Sequence, residues 1–109
     1  MKVVNKANGR TVREFEFIIY QTEANYMFFT WNMAKERFNF DDYTKIYDGV
    51  VKERSEESAL EELFTMFNIS HPIDYKGRSL SVSDIVELKV GGRNELYYCD
   101  FIGWKKIKH

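Results

Sequence analysis

The chain has 109 residues, 44% hydrophobic and 30% charged. That size and balance suit one folded domain and exclude a disordered tract. A net charge of −1 gives no global reason to bind nucleic acid, and the apolar runs are too short to cross a bilayer as a helix. The single cysteine, Cys99, excludes an intramolecular disulfide. With no secretory leader ahead of the folded pattern, it points to a reducing cytoplasm. Aromatic residues reach 17%, and their large buried areas are expected to stabilise a small core without covalent staples.

In chain order, Asn8-Gly9 fits the two positive-φ positions of a type I′ turn, so residues 1–20 read as an opening hairpin with its second strand over Thr11 to Tyr20. Phe15, Phe17 and Ile19 share one face of that strand, opposite Glu14 and Glu16. Ile18 and Tyr20 then turn the other face apolar, which predicts burial on both sides. Tyr26-Met27-Phe28-Phe29 is a short apolar run, read as a third strand. Thr30 is placed to cap a short helix at about 31–38, through Trp31, Met33, Ala34 and Phe38. Phe40-Asp41-Asp42-Tyr43 reads as a turn, and Tyr43 to Val51 as a strand with Ile46 and Val50 on the same side.

The main helix is expected at about 55–68. Leu60, Leu63, Phe64 and Phe67 fall at i, i+3, i+4 and i+7, one apolar stripe. Ser55 or Ser58 caps it, Ser58 and Glu61 having capping-box spacing, and Glu56 and Glu57 suit the positive end of the helix dipole. Asn68 is the expected stop, with His71-Pro72 beyond it. A polar loop over Ile73 to Ser83 leads to a strand at Ile85 to Val90. A turn at Gly91-Gly92-Arg93-Asn94, a returning strand from Glu95 to Phe101, a bend at Ile102-Gly103 and a last short strand from Trp104 to Ile107 complete the chain. Short connections and one main amphipathic helix predict a single α+β domain over 1–109 with a mostly antiparallel sheet.

Candidate chemistry is sparse. Gly91-Gly92 lacks the Lys and the helix of a phosphate-cradling loop. One Cys and two His, one of them His109, do not make a zinc set, so no metal and no cofactor are expected. Cys99 would need His71 or another cation beside it to act as a nucleophile; a buried, inert thiol is the plainer reading. Ser79, Ser81 and Ser83 beside Asp84 suggest a hydroxyl and an acid, yet such a run commonly satisfies its own backbone in a turn. Asp41-Asp42 and Glu61-Glu62 are adjacent, so on regular elements they point apart and suit solvated surface better than an acid–base pair. No catalytic residue is assigned, and the chain is expected not to be an enzyme.

Charge is segregated along the chain. Lys2, Lys6, Arg10 and Arg13 stand without acids at the start, Asp41 to Glu62 holds eight acids against three bases, and Lys105, Lys106 and Lys108 close the chain. Glu53, Glu57 and Glu61, spaced i, i+4 and i+8, are expected to form an acidic helix stripe. With Asp41 and Asp42 it is a candidate surface for a protein partner carrying a basic groove. A face kept soluble by Glu is the plainer reading. The alternative partner is nucleic acid, met by the basic ends if Lys2, Lys6, Arg10 and Arg13 converge with Lys105, Lys106 and Lys108; a salt-dependent gel shift discriminates it. The aromatic cluster Tyr26, Phe28, Phe29, Trp31, Phe38, Phe40, Tyr43 and Tyr47 is poor in interleaved bases, which favours core packing over base stacking and leaves some rings for an apolar contact patch.

The run His71-Pro72-Ile73-Asp74-Tyr75-Lys76-Gly77-Arg78-Ser79-Leu80-Ser81-Val82-Ser83-Asp84 resembles the signature of the YodL-like domain family. The resemblance continues through Ile85-Val86-Glu87-Leu88, Tyr97-Tyr98-Cys99-Asp100 and Ile102-Gly103-Trp104, with Trp104 where the family pattern has Phe. The helix end Phe64 to Ile69 and the segment Asp42 to Gly49 are similar too, so the likeness covers about 26–107 and leaves the hairpin 1–20 outside. It implies a small bacterial protein of plasmids, phages and integrative elements, found beside conjugation and anti-restriction genes and without attached enzymatic activity. In the signature itself Gly77 is expected to permit a tight bend, Ser81 and Ser83 to tie down the loop, and Asp84 to anchor the next strand. The function expected is a cytoplasmic protein-binding accessory factor, most specifically an anti-defence inhibitor of the anti-CRISPR type acting on a Cas nuclease or another defence protein.

Overall fold

A computed structural model describes the backbone of residues 3–5 and 10–108 and the side chains of 12–108. The Asn8-Gly9 turn, Lys2, Lys6 and His109 lie outside the described residues. The strands on either side of that turn, β1 (Val3–Asn5) and β2 (Arg10–Thr22), pair antiparallel. Along Phe17 to Tyr20, β2 is flanked on one edge by β3 (Tyr43–Glu53) and on the other by β4 (Ile85–Val90). β5 (Arg93–Cys99) and β6 (Trp104–Ile107) extend the sheet beyond β4. The order is β3-β2-β4-β5-β6, with β1 on the first residues of β2, and every pairing is antiparallel. The β4–β5 hairpin closes through Gly91-Gly92, both at positive φ (55° and 84°), the conformation that two-residue hairpin turns require.

Both faces of β2 are used, as its sequence implies, but by different covers. Phe15, Phe17 and Ile19 join Val86, Leu88 and Tyr97 beneath helix α2 (Glu56–Ile69). α2 begins at Ser55, whose hydroxyl accepts from the Ser58 N–H while the Ser58 hydroxyl accepts from the Ser55 N–H, a reciprocal cap built from two serines. The helix buries Ala59, Leu60, Leu63 and Phe67, each full-sized side chain contributing about 1.5–3 kcal/mol relative to exposure. Phe64, placed in the stripe by its spacing, instead sits at the rim, 39% exposed. The helix ends one residue past Asn68, whose side chain donates to the Phe64 carbonyl.

The opposite face of the sheet is covered at one end by residues 23–42. Here the expected third strand is corrected. Tyr26 to Phe29 forms tight turns, with Met27 N–H on the Ala24 carbonyl and Phe29 N–H on the Tyr26 carbonyl, both 3.0 Å, and Phe28 at φ 71°. The run is apolar because it is a lid: Tyr26 is buried beside Ala34, Ile85 and Tyr98, with Trp31, Phe38, Phe40 and Tyr43 packed around them. The short helix α1 is limited to Trp31–Ala34 and is followed by turn residues rather than reaching Phe38. Core packing thus accounts for most of the aromatic cluster.

Two strand details also differ from the sequence pattern. β3 pairs Tyr47 with Ile19 and then Lys45 with Tyr20, so Ile46 is an extra, bulged residue. The bulge swings Ile46 onto the α2 side while Val50 stays exposed on the other, so the two do not share a face. β5 stops at Cys99, and Phe101 belongs to the turn after it. No helix among the described residues is long and apolar enough to cross a membrane.

Candidate functional site

The signature loop between α2 and β4 folds around one buried carboxylate. Asp84 is 0% exposed. Its Oδ2 accepts from the Ser81 N–H (2.7 Å) and from Gln21 Nε2 (3.1 Å), and its Oδ1 from Arg78 Nη2 (3.3 Å). Gln21, at the end of β2, also donates to the Arg78 carbonyl and accepts from the Arg78 N–H. The loop is thereby fastened to the central strand. Burial pushes the Asp84 carboxyl up to about 6, against the opposing pull of the Ser81 N–H, Gln21 and Arg78.

The hydroxyls of Ser81 and Ser83 serve backbone groups elsewhere. Ser81 Oγ donates to the Ser79 carbonyl, and the Ser83 hydroxyl accepts from the Phe28 N–H. Gly77 sits at a bend, as expected, and close packing adds a second reason for a glycine there. A Cβ there would lie 2.5 Å from Ile46 Cγ2 and 2.7 Å from Tyr75 Oη, so the loop passes too close to β3 for any side chain. Beside it opens a cleft of about 630 Å³ where Lys76 and Arg78 stand among Glu23 and Asp42, a lining of mixed charge. Cys99 is buried, and desolvation pushes its thiol up to about 12, the environment of a core thiol rather than a nucleophile.

The acidic residues do not assemble as the spacing suggests. Glu53 is the last residue of β3, opposite Arg13 of β2. The extended backbone of Ser55 breaks the chain before the helix starts, so the stripe loses its first member. Asp41 and Asp42 lie in a 3-10 turn, Phe40–Asp42, within the lid, and Asp42 is engaged there as the acceptor of the Tyr26 hydroxyl (2.9 Å). Glu57 and Glu61 remain, both exposed on α2.

Nor do the described basic residues converge. The Arg13 guanidinium sits over the Phe15 ring on β2, whereas Lys105 and Lys106 are on β6, with β4 and β5 between. Lys106 lies 3.9 Å from Glu95 Oε1 and over the Tyr97 ring, and Lys108 is exposed just past β6. Of Arg10 only the backbone, in β2, is described.

The chain pattern places a bend at Ile102-Gly103 but does not mark the tip of this β5–β6 turn as an exposed apolar surface. Phe101 and Ile102 are 75% and 85% exposed at its tip. The turn is closed by the Asp100 N–H on the Gly103 carbonyl, with Gly103 at φ 73°, and Asp100 Oδ1 accepts from the N–H groups of Phe101 (2.8 Å) and Trp31 (3.0 Å). The available signal was the glycine, since residues just ahead of a left-handed Gly fall in the turn. Next to the tip, Glu61, Phe64, Phe101 and Trp104 line a shallow hollow of about 170 Å³. It adjoins a groove of about 270 Å³ between α2 and β6, where Glu57, Glu61 and Trp104 meet Lys106.

The sequence model of the YodL-like domain matches residues 15–109. The chain belongs to the YodL-like domain family. The match starts at Phe15, inside β2, upstream of the Tyr26 limit expected from the resemblance, so most of the central strand is part of the YodL-like unit. That is physically coherent, because Gln21 of β2 is the strand's grip on the signature loop of this YodL-like domain. No curated protein and no solved structure matches the chain.

Proposed function

We propose that this YodL-like domain acts without chemistry of its own, as a protein-binding accessory factor of a bacterial mobile genetic element working in the cytoplasm. In its most specific form it is an anti-defence inhibitor of the anti-CRISPR type, blocking a Cas nuclease. The observation that carries the reading is the flank of α2 beside β6, where Glu57 and Glu61 are exposed and carry no ion pair among the described residues. Free carboxylates on a rigid helix complement a basic channel that otherwise holds phosphates. The internal commitments of Asp84, Ser81, Ser83 and Cys99 support a binding role over a catalytic one.

The test is a binding and cleavage assay with purified Cas nucleases. Binding that weakens with salt, inhibition of DNA cleavage, and loss of both in Glu57→Lys/Glu61→Lys are expected. Unimpaired cleavage with no complex formed rejects the anti-CRISPR form.

A further inference from the structure

We propose that the β5–β6 turn is the anchor of the binding surface, and that its partner is a protein presenting an apolar pocket bordered by Lys and Arg. The inference rests on the protein-binding reading above and locates the contact. Phe101 and Ile102 are the reason. Turn positions favour Asn, Asp, Ser, Pro and Gly, yet here two large apolar side chains stand 75% and 85% in solvent. They support no core, and their neighbours Phe64 and Trp104, in edge-to-face contact at 6.4 Å, extend the same apolar surface. A contiguous apolar patch with a polar border is the signature of a contact site.

The tip is also held in place before any partner arrives. Asp100 accepts from two backbone N–H groups, one of them from Trp31 of the lid, and Gly103 closes the turn. A preformed anchor loses little conformational freedom on binding. Glu61 lines the hollow beneath Phe101 and also the groove that carries Glu57, so the apolar and acidic surfaces are continuous.

The charge chooses among occupants. An apolar turn entering a bilayer is helped by basic flanks against anionic headgroups, whereas the groove beside this tip carries Glu56, Glu57 and Glu61 against one cation, Lys106. A second copy of this chain, docked about a two-fold axis through the same patch, would set these glutamates near their own equivalents. A protein with a basic border matches both the rings and the carboxylates.

The test uses the full chain and two probes. One is a Cas nuclease; the other is a labelled peptide of Leu and Trp flanked by Lys and Arg, with an acidic peptide of the same apolar residues as control. Phe101→Ser/Ile102→Ser changes only exposed positions, and Glu57→Lys/Glu61→Lys reverses the adjoining charge; melting curves confirm that both fold. Each is expected to weaken binding of the basic peptide by about tenfold or more, and the acidic peptide is expected to bind far less well. Nuclease binding that Glu57→Lys/Glu61→Lys abolishes but Phe101→Ser/Ile102→Ser leaves unchanged overturns this inference while the anti-CRISPR reading stands. Peptide binding that depends on the tip, without any nuclease binding, supports the inference and rejects that reading. Tip-dependent flotation with phosphatidylglycerol vesicles, or a dimer in solution that Phe101→Ser/Ile102→Ser dissolves, also overturns it.

Discussion

The backbone N–H of Phe28 donates to the Ser83 hydroxyl over 2.9 Å, joining the two non-glycine residues that adopt positive φ among the described residues. Phe28 is in the lid and Ser83 is in the signature loop. Their bond clasps lid and loop together at one end of the sheet, and the hydroxyl of Tyr43, the first residue of β3, donates to the Ser83 carbonyl over 2.6 Å. Left-handed backbone at such residues costs on the order of 1 kcal/mol each and persists where surrounding contacts impose it.

Ser83→Ala should therefore destabilise the fold by about 1–3 kcal/mol, because the Phe28 N–H loses its acceptor while the unfavourable φ remains. Ser83→Gly loses the same acceptor but accepts φ 86° without strain, so its cost should be smaller. Chemical denaturation of the two variants checks the order. A larger loss in the glycine variant would remove backbone strain from the account.

Gly77 and Gly91 should respond to alanine for opposite reasons. At Gly77 the added methyl meets Ile46, Tyr75 and Gln21 within 3 Å, and relief must disturb the Asp84 cluster, for a cost of about 1–3 kcal/mol. At Gly91 there is open space but φ is 55°, so the cost is conformational, about 1 kcal/mol. Amide exchange separates them: Gly77→Ala should loosen the Gln21 and Arg78 amides, and Gly91→Ala should change only the β4–β5 turn.

The α2 stripe shows how far periodicity reaches. Spacing places Leu60, Leu63, Phe64 and Phe67 on one face, and three of the four are buried. Phe64 falls at the margin because α2 lies toward β3 and β4, leaving that side of the helix facing β6 and Trp104. Leu63→Ala should accordingly cost about 2–5 kcal/mol, and Phe64→Ala clearly less, with binding affected more than stability. Equal losses in melting experiments would place Phe64 in the core after all.

Local patterns of this kind were legible: the β2 face, the α2 stripe, the β4–β5 hairpin and the antiparallel sheet. What was not legible depends on contacts distant in sequence. Tyr26 to Phe29 has the composition of a strand, and only the uncovered face around Ile85 and Tyr98 makes it a lid. The bulge at Ile46 is invisible in a strand pattern, because the extra residue shows only against the register of β2. The acidic stripe breaks for a simpler reason. Helical spacing does not run through Ser55, whose cap starts the helix after Glu53.

Asp84 gives the fold a dependence on pH whose sign can be worked out. Its carboxyl is raised from 3.8 to about 6 by burial, so the folded chain holds the proton over a range where the unfolded chain has released it. The folded state then binds more protons than the unfolded one between about pH 4 and 6, and stability falls as pH rises through that window. Two pH units correspond to about 3 kcal/mol for this group alone. In Asp84→Asn the step should vanish, so the stability difference between wild type and variant should change with pH and level off above about pH 7. Arg78→Met, which takes away the cation favouring the charged form, should move the window upward. Urea melts at pH 4, 5, 6 and 7 measure both; a difference that stays flat with pH would mean that Asp84 ionises in the fold as it does in water.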